Sequence, residues 1–351
     1  ASSARAELSD ERLEQLAALG YITTTVDEKS PTADLPDPVT KLPMLASVER
    51  ARALLQAGKI DEAAAQVDKI LDEDPDFVDM RAMRVQLLLR TGNLKAALED
   101  ARSLDESNPS TNHKSLIANI LLRRGATAEA AIVFETIVDI DPYLGEAWRG
   151  LMTSLFMAGQ IPQLDKTVQR AQQFVPTHPA TQTFAGIVHV MKGEAEEAEH
   201  ILMGVLNKNP NQAFVNHSLG LIRRAEGKAD AAEQFLVEEI RLHPPAIPAR
   251  RTMVEILAEQ RRYTEQLDQL SEIAKIEALN PMTLHSKAQA LFNLERYEEA
   301  EVATQACIKA DAKYPGCWML QANILSKQGK DTAAKAAYDK AVSLAARYPN
   351  T

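Results

Sequence analysis

The stretch Gly58-Lys59-Ile60-Asp61-Glu62-Ala63-Ala64, closed by Pro75, decides how the rest of the chain is read. Thirty-four residues on, the same punctuation returns as Gly92-Asn93-Leu94-Lys95-Ala96-Ala97, closed by Pro109. Setting the turn glycine at position 15 places Gly58, Gly92, Gly125, Gly159, Gly193, Gly227, Arg261, Glu295 and Gly329 in one register. The intervals are 34, 33 and then six of 34. Self-similarity at such a period is the signature of a repeat architecture.

Each recurring residue has a mechanical reason. Glycine at position 15 ends a first helix because it enters the left-handed region without a side-chain penalty. The small residue at position 20 (Ala63, Ala97, Ala130, Ala198, Ala232, Ala300, Ala334) lets a second helix approach the first. Apolar residues at positions 4, 7, 8 and 11, such as Trp148, Leu151, Met152 and Leu155, make a stripe at helical spacing. Positions 24 and 27, such as Phe134 and Ile137 or Tyr338 and Ala341, supply the matching stripe. Proline at position 32 stops the second helix in the first six repeats, and in the last ones it moves to Pro281 and Pro315. One such hairpin cannot bury its own apolar faces, so neighbours must stack.

This pattern resembles the tetratricopeptide repeat family, with Leu219-Gly220, Gly227, Ala232 and Pro244 carrying it in the sixth repeat and Trp318, Gly329, Ala334, Tyr338 and Ala341 in the ninth. The resemblance implies an all-α, right-handed superhelical solenoid of about nine helix-turn-helix repeats over residues 44–348, near 44–77, 78–111, 112–144, 145–178, 179–212, 213–246, 247–280, 281–314 and 315–348. Two repeats depart from the rule. The fourth has Leu164 at position 20, with Pro162 near the start of its second helix. The seventh has Arg261 for the glycine and Gln266 for the small residue, which predicts wider helix separation or altered curvature there.

Residues 1–22 read as a polar lead-in and a short helix with Leu13, Leu16 and Ala17 on its apolar side and Gly20 at its end. Residues 23–43 carry Pro31, Pro36, Pro38 and Pro43 and read as an extended connector. The run Glu11-Arg12-Leu13-Glu14-Gln15-Leu16-Ala17-Ala18-Leu19-Gly20-Tyr21, with Leu35-Pro36-Asp37-Pro38 after it, is similar to the junction between the catalytic domain of bacterial sulfatase-type hydrolases and a C-terminal repeat region. That resemblance covers about forty residues. It implies a periplasmic or otherwise extracytoplasmic place. The sulfatase nucleophile motif, Cys or Ser followed by x-Pro-x-Arg, does not occur here, so the resemblance implies a non-catalytic part of such a protein.

Composition narrows the function. Of 351 residues, 25% are charged and 45% apolar, as in an ordinary folded protein. The net charge of −10 argues against a nucleic-acid partner, which needs a basic footprint. No run approaches the length of a membrane helix, so direct membrane insertion is not expected. The chain opens on Ala1 rather than Met, as a processed terminus does. Cys307 and Cys317 fall in one repeat and the start of the next; a bridge between stacked helices is open to them, but they read first as two buried small residues. No phosphate-cradling loop, nucleophile elbow or His-Glu-x-x-His helix is present, and His178, His189 and His200 straddle a turn, so neither enzyme activity, cofactor nor metal is expected. Acidic pairs such as Glu196-Glu197, Glu238-Glu239 and Glu298-Glu299 fall in second helices and read as solvated convex surface.

The family resemblance places the binding surface in a concave groove lined by positions 2, 5, 9 and 12 of the first helices. In the central repeats these include Arg149, Thr153, Phe156, Thr183, Ile187, Phe214, His217, Leu221, Arg224, Arg251, Glu255, His285, Gln289 and Phe292, with Met157 and Met191 added at position 13. Together they predict an apolar strip with an arginine-bearing wall, suited to a partner's amphipathic helix or extended peptide. The lysine and asparagine by which chaperone-binding repeats clamp a C-terminal carboxylate are not in place: the first repeat offers Val48 and Arg52, and the third Ser115 and Asn119. The expected function is a protein-interaction scaffold. The alternatives are an accessory region of a larger sulfatase-type hydrolase and a module that self-associates through a solenoid end.

Overall fold

The computed structural model describes residues 42–346, so the expected N-terminal helix and most of the connector lie outside the described residues. Among the described residues there are eighteen α-helices and no strand. They run in pairs: α1 Leu42–Gln56 with α2 Ile60–Glu73, α3 Val78–Thr91 with α4 Leu94–Ser107, α5 Thr111–Arg123 with α6 Thr127–Ile140. Next come α7 Gly145–Met157 with α8 Ile161–Phe174, α9 Pro179–Lys192 with α10 Ala195–Lys208, and α11 Val215–Ala225 with α12 Ala229–Leu242. The last pairs are α13 Ile247–Glu259 with α14 Tyr263–Ile276, α15 Pro281–Asn293 with α16 Tyr297–Ala310, and α17 Pro315–Lys327 with α18 Asp331–Ala345. Because α1 begins at Leu42, Pro43 belongs to a first helical turn rather than to the connector, at a place where its missing N–H is no loss.

Contacts divide the chain into two units, one ending at Leu87 and one beginning at Leu88. In the first, Val48 and Ala51 pack with Ala63, Val67, Ile70 and Leu71 and with Met80 and Leu87. In the second, every first helix touches its own second helix, and the first helices of successive repeats also touch: α5 with α7, α7 with α9, α9 with α11, α11 with α13 and α15 with α17. The first helices from α5 to α13 therefore form one layer, and α15 packs with α17.

Glycine closes the first helix as the register predicts. Gly193, for example, has φ 78° and its N–H reaches back to Val190 O. Arg261 and Glu295 occupy the same position and hold the same left-handed backbone, at φ 59° and 60°, without being glycine. The turn is thus kept although its usual residue is not. In the seventh repeat, Gln266 stands buried where the others have alanine, and its Oε1 lacks a hydrogen-bond partner.

Close packing between helices rests on small residues facing large ones. A Cβ on Gly150 would come within 2.3 Å of the Phe134 ring, and one on Gly186 within 2.7 Å of Leu202. Trp148 is fully buried, and its Nε1–H donates to Pro142 O at 2.7 Å; Trp318, at the same position five repeats on, donates to Ala312 O at 2.9 Å. Pro162 sits in the first turn of α8, where the sequence placed it. Tyr338, expected in the apolar stripe of the last helix, is instead half exposed.

The two cysteines correct their sequence reading. Both are buried, but they are joined: Cys307 of α16 and Cys317 of α17 form a disulfide that crosses from one repeat to the next, with Cα atoms 6.1 Å apart.

Candidate functional site

The predicted groove residues fall into three groups. Thr183, Ile187 and His217 are buried and present no surface to a partner. The cause is the layer of first helices: α9 is flanked by α7 on one side and α11 on the other, and the residues facing those neighbours are consumed in packing. The Thr183 hydroxyl turns inward and donates to Pro179 O at 2.8 Å.

The second group is the arginine wall, which is neutralised. Arg149 pairs with Glu146 at 2.6 Å on its own helix. Arg224 reaches from α11 to Glu255 and Glu259 of α13, and Arg251 reaches Glu277 beyond α14. Burial works against the charge of Arg224, yet its hydrogen bonds to Glu259 and Glu255 outweigh it and hold the guanidinium above its ordinary pKa. Glu255, offered by the sequence as a separate groove residue, is thus a partner of Arg224. The Arg224 pairs tie α11 to α13, and the three arginines together leave little free positive charge.

The third group is apolar, and part of it converges. The rings of Phe156 from α7 and Phe214 at the start of α11 meet edge to face, 5.5 Å between centroids. Both rest on Phe184 of α9, at 6.1 and 5.9 Å. Phe184 is buried, whereas Phe156 and Phe214 are only partly covered, so the trio is an aromatic patch with a buried base. Met157 and Met191, at the ends of α7 and α9, are 43% and 48% exposed. Thr153 and Leu221 are half-buried on the same helices. The predicted residues further along do not join this patch. Phe292 packs on Tyr297, His285 stacks edge-on against Tyr314, and Gln289 donates to Asn293.

Phe214 is held in an unusual way. Its φ is 69°, in the left-handed region, where a bulky side chain costs about 1–2 kcal/mol. It caps α11 without any side-chain acceptor of its own. The acceptor comes from α12: Glu239 Oε1 receives Phe214 N–H at 2.7 Å and Oε2 receives His217 N–H at 3.3 Å, with the Asn216 N–H as a third donor. Hydrogen bonds to a charged group contribute about 1.5–3 kcal/mol each, enough to offset the strain.

This corrects the reading of Glu238-Glu239 as solvated surface: Glu238 lies toward solvent and pairs with Arg241, but Glu239 is 1% exposed. The sequence held a signal for it. Position 27 is Ile70, Leu104, Ile137, Ala171, Val205, Ile273, Cys307 and Ala341 in the other eight repeats, all buried and apolar. Glu239 breaks that column. Burial, its largest influence, pushes its carboxyl pKa up against the pull of the backbone donors and of His243.

Among the described residues no group of three or more His, Cys, Asp or Glu side chains is arranged to hold a metal, and no helix is long and apolar enough to cross a membrane. Pockets lie between helices. One of about 620 Å³ is bounded by Leu267, Leu284, Leu291 and Val302.

Tetratricopeptide repeat models match residues 48–112, 283–314 and 315–348. No curated protein matches the chain. Among solved structures, the crystal structure of the APC/C hetero-tetramer Cut9-Hcn1 is similar over 83% of this chain at 16% identity, with a TM-score of 0.55; the chain spans 57% of that structure's length. A monomeric IFIT1 mutant with m7Gppp-AAAA is similar over 84% of this chain and 79% of its own, at 13% identity and a TM-score of 0.51. At these identities the likeness is one of fold. The chain carries tetratricopeptide repeats, arranged as an all-α solenoid.

Proposed function

We propose that this chain is a protein-interaction scaffold and that a partner segment docks on the aromatic patch of α7, α9 and α11. The observation that carries the reading is the meeting of Phe156 and Phe214 over buried Phe184, with exposed Met157 and Met191 on the same helices. Aromatic and methionine side chains provide large apolar area with adaptable shape. The neighbouring arginines are spent on glutamates, so the occupant is an apolar peptide or helix face rather than an acidic one. Met157→Glu with Met191→Glu is the appropriate disruption, since both side chains already meet water, whereas Phe156 and Phe214 also support Phe184.

The test is selection of random dodecapeptides on the intact chain, followed by titration of the enriched peptides against the double variant. Peptides with apolar anchors that lose at least tenfold in affinity support the patch. Enriched peptides that bind both proteins equally place the docking surface elsewhere.

A second reading, an accessory region of a larger extracytoplasmic hydrolase, is favoured by the Cys307–Cys317 bridge, because structural disulfides persist in oxidising compartments. It agrees with the sulfatase-like run from Glu11 to Tyr21. The reading frame preceding the Ala1 codon tests it: a sulfatase nucleophile motif there supports it, and its absence removes it.

A further inference from the structure

We propose that Glu239, a residue of the opposite helix layer, is the positioning residue of the aromatic patch: its buried carboxylate fixes the backbone of Phe214 and so sets that ring against Phe156. For its consequence in binding this rests on the docking surface proposed above; for the geometry of the rings it does not.

Three independent observations converge on it. Position 27 is apolar and buried in each of the other eight repeats, so a carboxylate there forfeits a packing residue and is not a neutral surface variation. The two other non-glycine residues with left-handed φ, Arg261 and Glu295, sit at the interhelical turn where glycine is the rule; among the described residues Phe214 alone takes that conformation at a helix start. And α11, at 11 residues, is the shortest described helix; the other first helices run 13 to 15 residues. The first turn is thus missing from α11, and the place where it would begin is taken by the Phe214 corner.

The capping arrangement explains how these belong together. Two other first helices are capped by a side chain, and in both it is a local one: Ser110 accepts from His113 N–H in α5, and Asn280 accepts from Thr283 N–H in α15, while α7, α9, α13 and α17 have no side-chain cap. In α11 no local side chain does so. The acceptor is 25 residues downstream in sequence, and its two oxygens divide between Phe214 N–H and His217 N–H. A carboxylate at a helix start also meets the positive end of the helix dipole. Phe214 O in turn receives both the N–H and the hydroxyl of Ser218, so the Phe214 peptide group is anchored on both sides. With the backbone held at both ends, the ring's exit direction toward Phe156 and Phe184 follows.

The experiment places 4-fluorophenylalanine at position 156 of the full chain and reads its fluorine resonance, which responds to the ring current of Phe214. Phe214→Ala sets the position of that resonance when the neighbouring ring is gone. Glu239→Leu, which restores the apolar character of the column, is expected to move the resonance most of the way to that value. Glu239→Gln, which keeps one acceptor oxygen, is expected to fall between. A merely structural role would lower the denaturation midpoint of these variants while leaving the native resonance at its wild-type position, and that result overturns the proposal. Should Glu239→Leu not fold, Glu239→Gln carries the same decision alone. In a parallel titration the enriched dodecapeptides are expected to bind Glu239→Leu several-fold more weakly. A shifted resonance with unchanged peptide affinity leaves Glu239 as the positioning residue and removes the docking surface instead.

Discussion

His217 Nε2 lies 3.2 Å from Thr252 Oγ1, and both side chains are buried between α11 and α13. Thr252 gives its hydroxyl proton to Pro248 O, so the hydroxyl oxygen accepts from Nε2–H and Nδ1 is left without a partner. Burial lowers the His217 pKa to about 4. In the unfolded chain the imidazole takes up a proton near its ordinary value, so the unfolded state binds more protons between the two. Stability is therefore full above about pH 6.5 and is lost as pH falls toward 4. We expect about 2 kcal/mol less stability at pH 5 than at pH 7 from this group. Glu239, whose pKa is raised, acts in the opposite sense, and the pH slope of His217→Gln subtracted from that of the wild type isolates the histidine. Urea unfolding at the two pH values measures it.

Arg261→Gly and Glu295→Gly should each stabilise. The left-handed backbone costs a side-chain-bearing residue about 1–2 kcal/mol, while glycine costs about 0.5–1 kcal/mol of extra chain entropy. The net expectation is a gain of about 0.5–1 kcal/mol per site, read as a higher unfolding midpoint. A loss at either site would mean that the native side chain makes a compensating contact.

Glycines within helices divide into two kinds. Gly150→Ala drives a methyl group into the Phe134 ring and should cost about 2–3 kcal/mol. Gly204, inside α10, has nothing within reach of an added Cβ, and Gly204→Ala should gain about 0.5–1 kcal/mol from helix propensity. Thermal unfolding of the two single variants should move in opposite directions.

Cys307 and Cys317 are 10 residues apart, and closing so short a loop stabilises by about 2–3 kcal/mol in the chain-entropy account. Alkylation of the denatured chain should add no mass without reductant and two labels with it. The reduced chain should unfold at lower denaturant.

The repeat register was legible because its residues answer steric demands that recur every 34 positions: a left-handed turn, a close approach, a stop. Even where glycine is replaced at Arg261, the backbone obeys the position rather than the residue. The surface was less legible. Positions 5 and 9 face the groove in the family resemblance, but Thr183, Ile187 and His217 show that a first helix hemmed by two neighbours has less free face than its pattern offers. Arg224 looks free in the sequence because its partners lie about one repeat away, at 31 and 35 residues, and pairing at that distance is visible only in register; the Arg149–Glu146 pair, three residues apart on one helix, is visible locally. Glu239 was missed for a related reason. Read beside Glu238 it is one of many acidic pairs; read down its column it is the exception.

The ion pairs of Arg149, Arg224 and Arg251 have a consequence for the surroundings this chain can work in. A face whose cations are already matched by its own anions has little field to project into solution. Added salt then has little long-range attraction to screen. Association at the aromatic patch should accordingly change little between dilute and concentrated buffer, and its speed should owe more to diffusion and shape than to charge steering. A partner held by such a face stays held when ionic strength swings.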